Sequence, residues 1–99
     1  MKEKIIGIIT KAILELNEEL EKPELNNPTE GTFIYGREGA LKSLDLVSLI
    51  ADLESKIADE FGCSIPLADE HAMSQEHSPF KTVKSLAEYI EPLLQKYKN

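Results

Sequence analysis

The sequence predicts a small all-α bundle of three long helices and one short helix. Apolar residues recur at three- and four-residue steps in three separate stretches, and no segment alternates apolar and polar residues convincingly enough for a half-buried strand. At 99 residues the chain is long enough for one modest core and is read as a single domain over 1–99. That length is too short for an ordinary enzyme with two lobes and an enclosed cleft, so a binding or carrier module is expected rather than a catalyst.

The first helix is expected from about residue 3 to 21, with Ile5, Ile8, Ile9, Ala12, Ile13, Leu16 and Leu20 on one face. Pro23 closes it. Residues 22–42 form a connection containing Pro23, Pro28, Gly31, Gly36 and Gly39, longer than the roughly 12–15 residues at which unstructured loops become uncommon. An anchor is therefore needed, and the cluster Phe33, Ile34 and Tyr35 is expected to dock on the core.

A second helix is expected from Ser43 to about Phe61. Placing residues about 100° apart puts Leu46, Leu49, Ile50, Leu53, Ile57 and Phe61 inward. The opposite side carries Leu44, Ser48, Ala51 and Ser55, flanked by Asp45, Asp52 and Asp59, with Val47, Glu54 and Ala58 along one border. This face is shallow, acidic and slightly apolar. Gly62 ends the helix, and Pro66 opens a short third helix over Leu67 to Met73. Residues 74–79 read as a connection. The last helix fits Thr82 to about Tyr97, with Val83, Leu86, Ala87, Ile90, Leu93, Leu94 and Tyr97 inward, and Pro92 is expected to kink or break it near Glu88 to Glu91.

Eighteen acidic against eleven basic residues give a formal charge of −7, which argues against nucleic acid and anionic membrane surfaces and favours basic protein partners. Residues 43–73 hold seven acids against Lys56 alone, whereas 78–99 is mildly positive. The acidic field thus surrounds the second helix. A lone Cys63 makes no internal disulfide, and no signal peptide is evident, so a cytoplasmic location is expected. No apolar run approaches the roughly 20 residues that insert across a bilayer. His71 and His77 match no established metal-ligand spacing, and no Ser-His-Asp arrangement is present, so neither a metal nor a catalytic residue is expected.

Ser43 stands where a glycine-containing loop meets the second helix, so its hydroxyl is expected at a helix N-terminus, where unpaired N–H groups suit a phosphate ester. Three stretches carry a resemblance over nearly the whole chain: Ser43-Leu44-Asp45-Leu46-Val47 with Leu49, Leu53 and Glu54; Phe61-Gly62-Cys63-Ser64-Ile65-Pro66; and Phe80 to Ile90. In this order they resemble the acyl carrier proteins. The family usually has aspartate before the serine, where this chain has Lys42, and the connection between Ile65 and Val83 is longer than in compact members, which makes it a divergent one. Beginning at Met1 without a flanking linker, the chain reads as freestanding.

The resemblance implies that Ser43 carries 4′-phosphopantetheine, added by a phosphopantetheinyl transferase, whose thiol holds acyl intermediates as thioesters. It also implies delivery to acyl-transferring and acyl-modifying enzymes with basic docking surfaces, in fatty-acid, polyketide, lipid or envelope synthesis. Matching positions give Leu44, Asp45, Val47 and Glu54 as partner contacts, while Asp52 and Asp59 follow from the face argument alone. A monomer is expected. Two other functions stay open: an aminoacyl or peptidyl carrier, and an unmodified interaction protein that docks through the acidic face.

Overall fold

The computed structural model describes residues 2–36, 39–67 and 79–98. Helix α1, Lys2–Leu20, buries Ile5, Ile9, Ala12 and Ile13, the centre of the expected stripe, with Ile8, Leu16 and Leu20 half-buried at its margins. It ends on Glu21, whose φ of 53° places a non-glycine residue in the left-handed region and whose N–H donates to the Asn17 carbonyl at 2.8 Å. Asn17, though polar, is buried. Its side chain accepts from the Lys22 N–H at 2.8 Å and donates to the Lys22 carbonyl at 3.0 Å and to Asn26 Oδ1 at 2.9 Å. Those bonds fix the turn out of the helix and satisfy the amide.

The chain after α1 has local structure of its own. A 3₁₀ turn at Pro23–Leu25 sends Leu25 into the core. Residues 30–34 then lie against the start of the last helix: Ile34 N–H donates to the Lys81 carbonyl at 2.7 Å, Val83 N–H to Thr32 at 3.2 Å and Lys84 N–H to Glu30 at 2.9 Å. The connection thereby supplies acceptors to N-terminal amides that a helix cannot satisfy internally. Ile34 and Tyr35 are buried as expected, but Phe33 is 40% exposed. Consecutive side chains of an extended segment point to opposite sides, so Phe33 is turned out once Ile34 is taken in. Tyr35 is recovered for the interior because the chain folds back after it, through Gly36 at φ 105°, and lays Leu41 alongside in a parallel bridge.

Helix α2, Ser43–Phe61, buries Leu46, Leu49, Ile50, Leu53 and Ile57. Gly62 closes it at φ 65°, its N–H donating to Ala58 at 2.9 Å. Ile65 and Leu67 follow as buried, non-helical residues. The expected short helix over Leu67 to Met73 and the connection 74–79 lie, apart from Leu67 and Pro79, outside the described residues, as do His71 and His77.

Helix α3, Val83–Lys98, is capped by Thr82: Ser85 N–H donates to Thr82 Oγ1 at 3.1 Å and Thr82 N–H to Ser85 Oγ at 3.0 Å. It runs through Pro92 without a break, so of the expected kink or break the break does not occur. Both Pro92 and Glu88, whose carbonyl loses its helical donor to the proline, are exposed, so the lost bond falls on the solvent side of the helix. Tyr97 is 47% exposed rather than inward, in a stretch, 95–97, in which every residue is exposed.

Helix α1 packs against both α2 and α3 and is the hub of this all-helical arrangement. Ion pairs follow the same scheme, with Lys2–Glu88 at 3.5 Å joining α1 to α3 and Lys4–Glu60 at 3.7 Å joining it to α2. Phe80 is fully buried and meets Tyr89 edge-on at 6.0 Å. No strand occurs among the described residues, and none of their helices is long and apolar enough to cross a membrane.

Candidate functional site

Ser43 is the first residue of α2 and is exposed. The residue in the capping position is Lys42, with extended backbone at φ −91° and ψ 172°. Its N–H donates to Asp45 Oδ2 at 3.1 Å, which is half of a capping box. The other half is lacking, since an ammonium has no lone pair to accept from the helix. The first intrahelical bond runs from Leu46 N–H to the Lys42 carbonyl at 2.9 Å. The amides of Ser43, Leu44 and Asp45 therefore lie ahead of the helical ladder, on the end that carries the helix's partial positive charge.

Beside Ser43, Leu44 is 83% and Val47 53% exposed, while Leu46, two residues after the first and one before the second, is fully buried. The helical period separates them: a core stripe behind, a small apolar patch in front. Ser48, Ala51 and Ser55 continue that outer face as exposed residues. Ser43, Leu44, Asp45 and Val47 are thus brought together in the first turn. At about 1.5 Å of rise per residue, Asp52 lies about 14 Å and Asp59 about 24 Å further along the axis.

The acids of α2 are less uniform than the sequence implies. Asp52 lies 3.4 Å from the Lys56 ammonium, which also donates to Glu15 of α1 at 3.0 Å. The hydrogen bond that Lys56 donates to Glu15, with further support from Asp52, raises the Lys56 pKa despite partial desolvation. Glu54 accepts the backbone N–H of Leu67 at 2.8 Å, so one of its oxygens is engaged within the fold. Asp59 is exposed and lines a cleft of about 270 Å³ with Ile8, Lys11, Lys56 and Glu60.

Tyr35 reaches the site from the connection. Its phenolic oxygen lies 3.4 Å from Ser43 Oγ although the residue is only 5% exposed. Sequence reasoning identified Tyr35 as a core anchor and missed its polar tip. The sole local signal was an aromatic residue bearing a hydroxyl eight positions before Ser43. Gly39 allows this approach: a Cβ there would fall 2.4 Å from Tyr35 Cα and 2.6 Å from the Ile34 carbonyl carbon.

Comparison of the chain with protein-family models, with curated proteins and with solved structures finds no match.

Proposed function

We propose that this chain is an acyl carrier, modified on Ser43 with 4′-phosphopantetheine, and that it serves its partners as a carrier rather than as a catalyst. The observation that supports this most directly is Ser43 as an exposed residue at the first position of α2. The residues present fit the group: the nearby Ser43, Leu44 and Asp45 amides precede the helical ladder and suit a phosphodiester, and the exposed Lys42 brings a cation to the same end. When bound, the group supplies a thiol on which an acyl cargo is held as a thioester.

Leu44 and Val47 offer apolar contact beside the serine, and Asp45 gives the patch its charge. A small patch with rim charges favours quick encounter over tight binding, which suits a carrier that leaves each enzyme after delivery. The partners are a phosphopantetheinyl transferase and acyl-transferring or acyl-modifying enzymes with basic surfaces. Asp52 and Asp59 extend the negative field along α2. Glu54 contributes through the oxygen that Leu67 does not use.

Co-expression with a broad-specificity phosphopantetheinyl transferase, followed by intact mass measurement, tests the proposal. The wild-type chain gains the mass of the prosthetic group, and Ser43→Ala does not. A second reading, an unmodified interaction protein, is favoured by the Tyr35 contact, which gives the Ser43 hydroxyl a partner within the fold. An unchanged wild-type mass with several transferases selects that second reading.

A further inference from the structure

We infer that Tyr35 positions Ser43 for esterification, an inference that rests on the carrier reading above. The two oxygens are 3.4 Å apart, one on a buried ring and the other on an exposed side chain. The backbone bearing the ring is held from both sides. Ile34 N–H is bonded to Lys81, Leu41 N–H donates to Ile34 at 2.9 Å, and Gly39 packs directly on the Tyr35 backbone. A tyrosine ring has only two side-chain torsions, so a buried ring on a fixed backbone presents its hydroxyl at a fixed point.

Ser43 has no such restraint of its own, since an exposed serine samples three staggered wells. A stationary hydroxyl within reach favours one of them. The 3.4 Å separation exceeds the roughly 2.7–2.8 Å of a settled O–H···O bond, so the contact biases Ser43 without locking it. With the phenol as donor, the serine keeps its own proton for removal by a base of the transferase.

In the transfer, Ser43 Oγ bonds to the pantetheine-side phosphorus of coenzyme A, an organic diphosphate. The P–O bond to the nucleotide breaks, the nucleotide leaves as a phosphate monoester, and the serine proton passes to the transferase. Tyr35 makes and breaks no covalent bond. It narrows the orientations of Oγ before attack, an effect that enters kcat rather than docking.

Tyr35→Phe keeps the ring and removes the oxygen. With purified transferase and coenzyme A, followed by intact mass, its kcat is expected to fall about 3- to 10-fold at unchanged KM, the range that one neutral hydrogen bond supports. An equal kcat, or a change confined to KM, overturns the inference. A second readout is the Ser43 χ1 distribution of the unmodified protein, from three-bond couplings. One dominant rotamer is expected in the wild type and averaging in Tyr35→Phe; averaged couplings in the wild type overturn the inference whether or not the variant folds. Wild-type protein that gains no mass defeats the carrier reading instead, and a single Ser43 rotamer then marks the contact as purely structural.

Discussion

The Glu54 carboxylate accepts the backbone N–H of Leu67 at 2.8 Å, so an acid in the middle of α2 holds the chain that leaves that helix's C-terminus. Leu67 is fully buried, and its amide would otherwise enter the interior unpaired. Glu54→Ala is expected to destabilise the fold by about 1–2 kcal/mol, as for a partly exposed charge-assisted bond, and Glu54→Gln by less because the amide oxygen still accepts. Urea unfolding measures both. Equal stability of all three proteins would remove the structural role and leave Glu54 as a surface acid only.

Two glycines have opposite expectations. At Gly39 a methyl group would meet backbone atoms of Tyr35 and Ile34, which cannot yield as a side-chain tip would. Gly39→Ala is expected to cost about 2–3 kcal/mol and to disturb the Tyr35–Ser43 contact. At Gly7, inside α1, nothing lies within 4 Å of the added carbon. Gly7→Ala is expected to stabilise by about 0.5–1 kcal/mol, since the glycine only adds freedom to the unfolded chain. Thermal unfolding of the two variants side by side gives shifts of opposite sign; a shift of the same sign in both contradicts the packing argument.

What the sequence made legible follows from where the relevant forces act. Helical periodicity reports burial directly, so the core faces of α1 and α2 were readable, and with them the exposure of Leu44 and Val47. The Asp52–Lys56 pair, although at the spacing of one helical turn, was not among the sequence expectations, which gave Asp52 only as a partner contact. The path of residues 22–42 was not readable, because it is set by backbone bonds such as Ile34 to Lys81 and Lys84 to Glu30, which leave no local pattern. The same holds for Tyr35: its ring was predicted inside, but only the fold-back at Gly36 and Gly39 carries its oxygen to Ser43. Pro92 does not break α3, because the proline and Glu88, whose carbonyl loses its helical donor, both lie on the exposed side of the helix, where losing one bond costs least.

Lys56 links α2 to α1, and its raised pKa gives the link a pH signature. The Glu15 hydrogen bond, aided by Asp52 and opposed by desolvation, holds the folded-state value above the 10.5 of an unperturbed lysine. A folded pKa above the unfolded one stabilises fully below the unfolded value, and the contribution disappears as pH rises through the folded value. Lys56→Met retains an apolar stem and removes the charge. Wild type is therefore expected to exceed Lys56→Met in urea midpoint at about pH 8, with the gap narrowing above about pH 10.5. A gap independent of pH across that alkaline range would mean that packing of the stem, not the ammonium, accounts for the difference.

Lys42 occupies a position where the chain's own physics favours a different residue. Its side chain cannot accept from the helix amides, and its positive charge lies at the positive end of α2. Lys42→Asp supplies an acceptor in backbone geometry already suited to a cap, since residue 42 is extended, and it reverses the unfavourable charge. Stabilisation of about 1 kcal/mol net is expected, part of the gain being offset by repulsion from Asp45, whose carboxylate sits on the residue 42 amide. The carrier reading adds a kinetic expectation. A transferase with a basic docking surface meets like charge at Lys42, so Lys42→Asp is expected to be pantetheinylated faster, chiefly through encounter and hence through kcat/KM at low ionic strength. Unfolding and mass-based modification rates separate the two halves: a stability gain with identical rates confirms the cap and removes Lys42 from recognition, whereas faster modification that vanishes in high salt identifies the charge as the cause.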